Sequence, residues 1–322
     1  MSNALEKKGN VRNFRSLYYE NLGLRGVEQR KALELLLKDD EIDLDKLSTF
    51  CVQFGLPAIK RPLVWKLLLG VLPPYQQIHE FVQQQQKEQV EHLLHTLKVI
   101  NQLHETNDNF KDNVPMHIVQ MYLLNEGEMG FMQPSETLEG EMKVLMSIGK
   151  LMSGIFENVV DSLLVSTKFF KLRQKHASHL NALTEMFEQR ISTEDPEVWW
   201  HLKTMGVSKL LPCQRWFSSF FAEDLQDPSI ERIWDKIVAG SCTILAYVAV
   251  AILLVFRQVI LTKKSSENVL HFLSQIPQDR CETIVGEAID LHIKHGFAMN
   301  SLYNVKDSNN TGTRSNAAVQ TT

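Results

Sequence analysis

The stretch "IWDKIVAGSCTILAYVAVAILLVFRQVIL", Ile233–Leu261, decides the fold, because Ile237–Phe256 is twenty consecutive residues without a formal charge. About twenty apolar residues, rising about 1.5 Å each, would cross the hydrocarbon core of a bilayer. Composition argues the other way. Gly240, Ser241, Cys242 and Thr243 interrupt one end, and the strongly apolar part, Ile244–Phe256, is shorter than the roughly 18 residues expected of a span. The small residues Ala239, Gly240 and Ser241 suit a helix break. The segment after them is predicted to be a helix apolar on every face, covered all round by other helices. The expectation is a core with no transmembrane helix.

The rest of the chain agrees with a helical protein. Its 322 residues, 44% of them hydrophobic, can bury a large core as one domain or two lobes. The formal charge of −4, with no lysine–arginine stripe, excludes nucleic acid as the main partner. Only 15 glycines and 10 prolines punctuate it, which favours helix. Cys51, Cys213, Cys242 and Cys281 are scattered among apolar residues with no CxxC pair, the pattern of reduced core thiols. The opening "MSNALEKKGNVRNFRS" has no apolar secretory segment, Ser2 excludes myristoylation and "VQTT" is no prenylation box. The expectation is a cytoplasmic location.

Residues 1–13 and 304–322 are polar and predicted to be disordered. Between them nearly every segment has helical period and none alternates as a strand would, so the fold class is all-α. "VEQRKALELLLK" sets Ala32, Leu33, Leu35, Leu36 and Leu37 on a broad apolar face. Helix starts are marked by Asp195-Pro196, by Asp227-Pro228, and by Asp279 with Glu282 at capping-box spacing. Tyr75–Glu105 reads as one long helix, whose second half buries Val90, Leu93, Leu94, Leu97, Ile100 and Leu103. Its first half carries Ile78, Phe81 and Val82, followed by "QQQQKEQ", which has no face to bury. That half is either a helix start standing in solvent or a ridge on which a second helix docks, with Ile78, Phe81, Val82, Gln85 and Gln89 as the docking residues. Residues 104–136 are the least regular and read as a long loop.

Common catalytic signatures are missing: no GxSxG, no GxxxxGK[ST] and no GxGxxG. His92/His95, His176/His179 and His292/His295 share helical faces but lack further ligands, so neither a metal nor a cofactor is expected. Met142, Met146 and Met152 lie at apolar helical positions and read as core filler.

Two stretches are more specific. "FGLPAIKRPLVWKLLLGVLPP" holds a Gly55-Leu56-Pro57 turn, then Arg61 and Trp65 one helical turn apart, then Gly70. "WFSSFFAEDLQDPSIERIWDKIV" holds Trp216, Phe217 and Phe221, then Ile233-Trp234-Asp235. As a helix lock, these residues need no catalysis. In this order they also resemble the TBC domain, the two-lobed helical fold of Rab GTPase-activating proteins. The resemblance spans Phe14–Phe297 and implies a domain over 14–300, with lobes at 14–126 and 137–300. The blocks "LLKDDEIDLDKLSTF", "RPLVWKLLLGVLPP", "RIWDKIVAGSC" and "AIDLHIKH" are most similar to the branch that serves as third subunit of the tuberous sclerosis complex. That likeness implies hamartin as a coiled-coil partner, and tuberin through it.

Active Rab-directed members supply an arginine from an I-x-x-D-x-x-R motif and a glutamine from a later Y-x-Q. An arginine in trans is worth about 10³–10⁵ in rate, or roughly 4–7 kcal/mol. Here no Asp has an Arg three residues on, and no arginine occurs between Arg61 and Arg173. Lys87, Lys98 and Lys111 lie in the interval, but lysine lacks the planar fork. The only Y-x-Q, Tyr75-Gln76-Gln77, comes too early to match, and Tyr122 is followed by leucines. No catalytic residue carries over. The resemblance therefore implies a non-catalytic scaffold supporting Rheb GTPase activation by tuberin and negative regulation of mTOR signalling. The alternative is an active GTPase-activating protein for a Rab-family GTPase, with Arg61 as the nearest arginine; a fold that binds such a GTPase without accelerating it is a third reading.

Overall fold

A computed structural model describes residues 27–103, 113–128, 136–156, 158–225 and 228–296. The predicted tails at 1–13 and 304–322 lie outside them. Fifteen α-helices run through the described residues, with no strand among them. They are α1 (Val27–Leu36), α2 (Leu44–Gln53), α3 (Arg61–Leu68), α4 (His79–Leu103), α5 (Val114–Glu126), α6 (Glu136–Ile155), α7 (Val159–His176) and α8 (Leu180–Glu194). There follow α9 (Pro196–Thr204), α10 (Cys213–Ser218), α11 (Glu231–Val238), α12 (Ile244–Val255), α13 (Arg257–Thr262), α14 (Ser266–Ser274) and α15 (Cys281–Gly296).

The opening stretch is the centre of this array. α11 stops where Gly240 takes φ +88°, a left-handed conformation that glycine adopts without a Cβ penalty. α12 then runs through the core, packed against α8 and α15, and Ile244–Leu253 are all inaccessible to solvent. Val248 and Leu253 are among them. No helix of the described residues is long and apolar enough to cross a membrane.

α11 is also tied to the start of the chain. Lys236, buried, donates from Nζ to the carbonyls of Cys51 and Phe54, both at 2.7 Å, and so caps the C-terminal end of α2. Burial lowers its pKa to about 8, partly offset by Asp235 and Cys51. All four cysteines are free and buried, and burial pushes Cys213 and Cys242 up to about 12. Met152 is in the core, with Met142 and Met146 partly buried against it.

The local expectations meet different outcomes. Asp195 caps α9 by accepting from the Val198 N–H at 3.0 Å, with Pro196 opening the helix. Asp227 lies outside the described residues, and Pro228 opens a 3-10 turn, Pro228–Ile230, ahead of α11. Asp279 and Glu282 form no capping box: Asp279 sits inside the 3-10 turn Gln278–Arg280, and Glu282 reaches Arg232 at 2.5 Å. Among the described side chains of α1 only Leu33 is fully buried; Leu36 and the following Leu37 are half-buried while Ala32 and Leu35 face solvent, so the apolar face is narrower than predicted. The irregular region 104–136 contains α5, which buries His117, Ile118, Val119, Met121, Tyr122 and Leu123 and ends at Gly127 with φ +74°. A helix covered on most sides has no amphipathic period to detect.

Candidate functional site

Arg61 and Trp65 stand at i and i+4 on α3, and both reach Asp235 on α11. Arg61 grips it on one edge, with Nε to Oδ1 at 2.8 Å and Nη2 to Oδ2 at 3.0 Å. Trp65 Nε1 donates to the same Oδ1 at 2.9 Å. Arg61 Nη1 reaches Glu231 at 2.7 Å, and Nη2 also donates to the Leu56 carbonyl of the Gly-Leu-Pro turn at 3.2 Å. Arg61 is 3% exposed and Asp235 fully buried. Burial alone would lower the arginine's pKa, but Asp235 and Glu231 outweigh it and hold it above the ordinary value. Trp65 stacks on Phe169 at 6.3 Å and meets Trp234 at 6.3 Å, while Trp234 Nε1 donates to the Phe220 carbonyl at 3.1 Å. Gly70, at φ +67°, closes α3. Trp216 lies in a neighbouring stack with Phe221. The motif residues thus converge on a sealed joint between α3 and α11. Glu231 and the Leu56 carbonyl complete it without any sequence signal of their own.

The predicted docking ridge is divided by the structure. The predicted long helix is a 3-10 turn, Gln76–Ile78, leading into α4. Phe81 is 68% exposed and Ile78 44%, with Gln85 also in solvent. Val82 is half-buried against the core, and Gln89, exposed like Gln85, borders a groove that α5 and α7 also line. The "QQQQKEQ" run does have an anchored member, because Gln86 is half-buried and donates to the Val71 carbonyl at 2.6 Å. The outward face keeps Ile78, Phe81, Gln85 and Gln89.

Most of the remaining candidates are engaged elsewhere. Gln76 donates to the carbonyls of Leu37 and Asp39, and Tyr75 hydrogen-bonds Glu41, so these two fasten the turn before α4 to the α1–α2 link, while Gln77, the glutamine of the early Y-x-Q, faces solvent. Lys87 lies 3.9 Å from Glu91, and Lys111 is outside the described residues. His292 meets Ser241 at 2.8 Å, and His295 meets Glu194 at 2.7 Å. Tyr122 Oη accepts from Gln174 at 3.2 Å.

Comparison with known proteins places these features. Residues 156–261 match the Rab-GTPase-TBC domain. The chain is 43% identical to TBC1 domain family member 7 of Bos taurus, over 88% of this chain and 95% of that protein. It is 42% identical to the Homo sapiens protein of that name, with the same coverage, and 38% to that of Xenopus tropicalis. Among solved structures, the Ypt/Rab-GAP domain of Gyp1p superposes with a TM-score of 0.57 at 19% identity, over 86% of this chain and 99% of that one. That last likeness speaks to the fold alone.

Proposed function

The chain belongs to the TBC-domain family, in the branch of TBC1 domain family member 7, and on that premise we propose that it is a non-catalytic subunit that binds and stabilises the hamartin coiled coil within the tuberous sclerosis complex. Through hamartin it joins tuberin, supports GTPase activation on Rheb and so restrains mTOR signalling. Binding only the assembled coiled coil would stabilise it by mass action. The lobes at 14–126 and 137–300, a cytoplasmic location and recruitment to lysosomes or vesicles belong to the same reading.

One observation carries it: Ile78, in the 3-10 turn that leads into the 25-residue helix α4, and Phe81, in the first turn of that helix, are 44% and 68% exposed. Exposed apolar side chains at helical spacing suit side-by-side packing of another helix. The test is capture of a hamartin coiled-coil fragment. Phe81→Glu together with Gln85→Glu should weaken capture by roughly tenfold or more while the chain stays folded. Undiminished capture overturns the placement.

The non-catalytic half is supported by the empty arginine interval and by Arg61, which Asp235 and Glu231 hold inside the fold. Single-turnover GTP hydrolysis by a panel of Rab proteins should stay at its intrinsic rate. Stimulation that one Arg→Ala change abolishes would instead establish an active Rab GTPase-activating protein.

A further inference from the structure

A second buried arginine is held quite differently. Arg173, on α7, is 9% exposed. Its Nη1 donates to the Ser218 carbonyl at 2.9 Å, and its Nη2 pairs with Glu141 of α6, whose side chain is 40% exposed. Its Nε, also buried, has no acceptor among the described residues. Buried N–H groups nearly always find one, so this exception calls for a cause.

Arg173 lines a cavity of about 340 Å³ between α6, α7, α8 and α10, whose walls include Leu180, Leu183, Phe217 and Phe220. That volume falls at the small end of ordinary ligand pockets, roughly 300–1,000 Å³. One wall is strained. Phe220 and Phe221 take φ +50° and +61°, a left-handed pair of bulky residues just after α10, where glycine is usual. Strain of this kind collects at binding sites. His176 also lines the cavity, and burial lowers its pKa to about 4, so at neutral pH it adds no second cation.

The Nε and Nη2 hydrogens of arginine point from one edge and match the two oxygens of a carboxylate. Asp235 fills that edge of Arg61 at both positions. On Arg173, Glu141 engages only Nη2, from the solvent side. We propose that this cavity binds a compact apolar carboxylate, with its acid group on the Nε–Nη2 edge of Arg173 in place of Glu141. Its hydrocarbon body lies among Leu180, Leu183, Phe217 and Phe220. The site is independent of the ridge on α4.

The experiment is calorimetric titration of the full chain at neutral pH with octanoate and, as a neutral counterpart, 1-octanol. Octanoate should bind about tenfold or more tightly than octanol, and Arg173→Met should erase that preference. Glu141→Gln, which removes the competing charge, should tighten octanoate binding several-fold. Ala177→Trp, from a solvent-facing position in the lining, should block both ligands. Absence of saturable octanoate binding, equal binding of octanol, or affinity unmoved by Glu141→Gln and Ala177→Trp would overturn the site. If Arg173→Met does not fold, the two surface-side variants decide.

Discussion

Arg61 and Arg173 are buried to a similar depth, yet their surroundings make them opposites. Each nitrogen of Arg61 has an acceptor, supplied by Asp235 and Glu231 of α11 and the Leu56 carbonyl. Its charge is cancelled inside the fold. Arg173 has one carbonyl and one carboxylate that reaches solvent, and its Nε has no acceptor among the described residues. Burial alone therefore does not make an arginine structural. What decides is whether the core supplies the acceptors or leaves an edge that another molecule can take.

The largest effect that could break this contrast lies at Asp235. Asp235→Ala strands Arg61 and the Trp65 N–H in the core and should cost about 3–5 kcal/mol in urea unfolding. The pair Arg61→Met with Asp235→Leu should recover part of that loss, because it removes both buried charges together. A loss below about 1 kcal/mol for Asp235→Ala would mean the joint is not the tie described here.

Acid should act next, through two histidines whose pKa burial lowers. Burial lowers His292, close to Lys236, to about 4, below the ordinary value of 6.5. The unfolded chain then binds more protons than the folded one between those values, so stability falls as pH drops from 6.5 towards 4. By pH 5 His292 should cost about 2 kcal/mol, and His292→Asn should flatten that part of the profile. His176 shifts in the same direction, but it is more open, so its share is smaller. Unfolding midpoints compared at pH 7.5 and pH 5 check both.

The smallest effect is expected at Arg173 itself. Arg173→Met removes one carbonyl contact and a pair that solvent already screens, so it should cost less than about 1.5 kcal/mol. A loss as large as that of Asp235→Ala would make Arg173 a second structural tie and remove the contrast.

How much of this was legible depended on whether the residues carry a local pattern. The α11–α12 break and the buried run after it could be read from small residues followed by unbroken apolar ones. Arg61, Trp65 and Asp235 could be read as a motif, but motif spacing gives no distances across the 174 residues that separate Arg61 from Asp235. α5 was missed because it is covered on most sides, and the Pro115 and Gly127 at its two ends were the available signals. The ridge was legible except at one position: side-chain spacing grouped Val82 with Phe81, Gln85 and Gln89, and packing against the core half-buries Val82 alone among them. Arg173 stood in the sequence only as the first arginine after a long gap. Its setting beside Phe169, Phe170 and Leu172 hinted at burial, but Nε without an acceptor is visible only in three dimensions.

The Lys236 cap on α2 has a consequence for the order in which the chain can be built. Its acceptors, Cys51 and Phe54, precede it by 185 and 182 residues. While the protein is being synthesised, α2 and α3 emerge long before the residues that finish them. Until α11 arrives, the end of α2 is uncapped and Arg61 has no carboxylate from Asp235 or Glu231. Contacts this distant fold slowly and leave apolar surface open meanwhile. A chain cut short before Asp235 therefore loses more than its C-terminal helices, because its first helices are left without their lock.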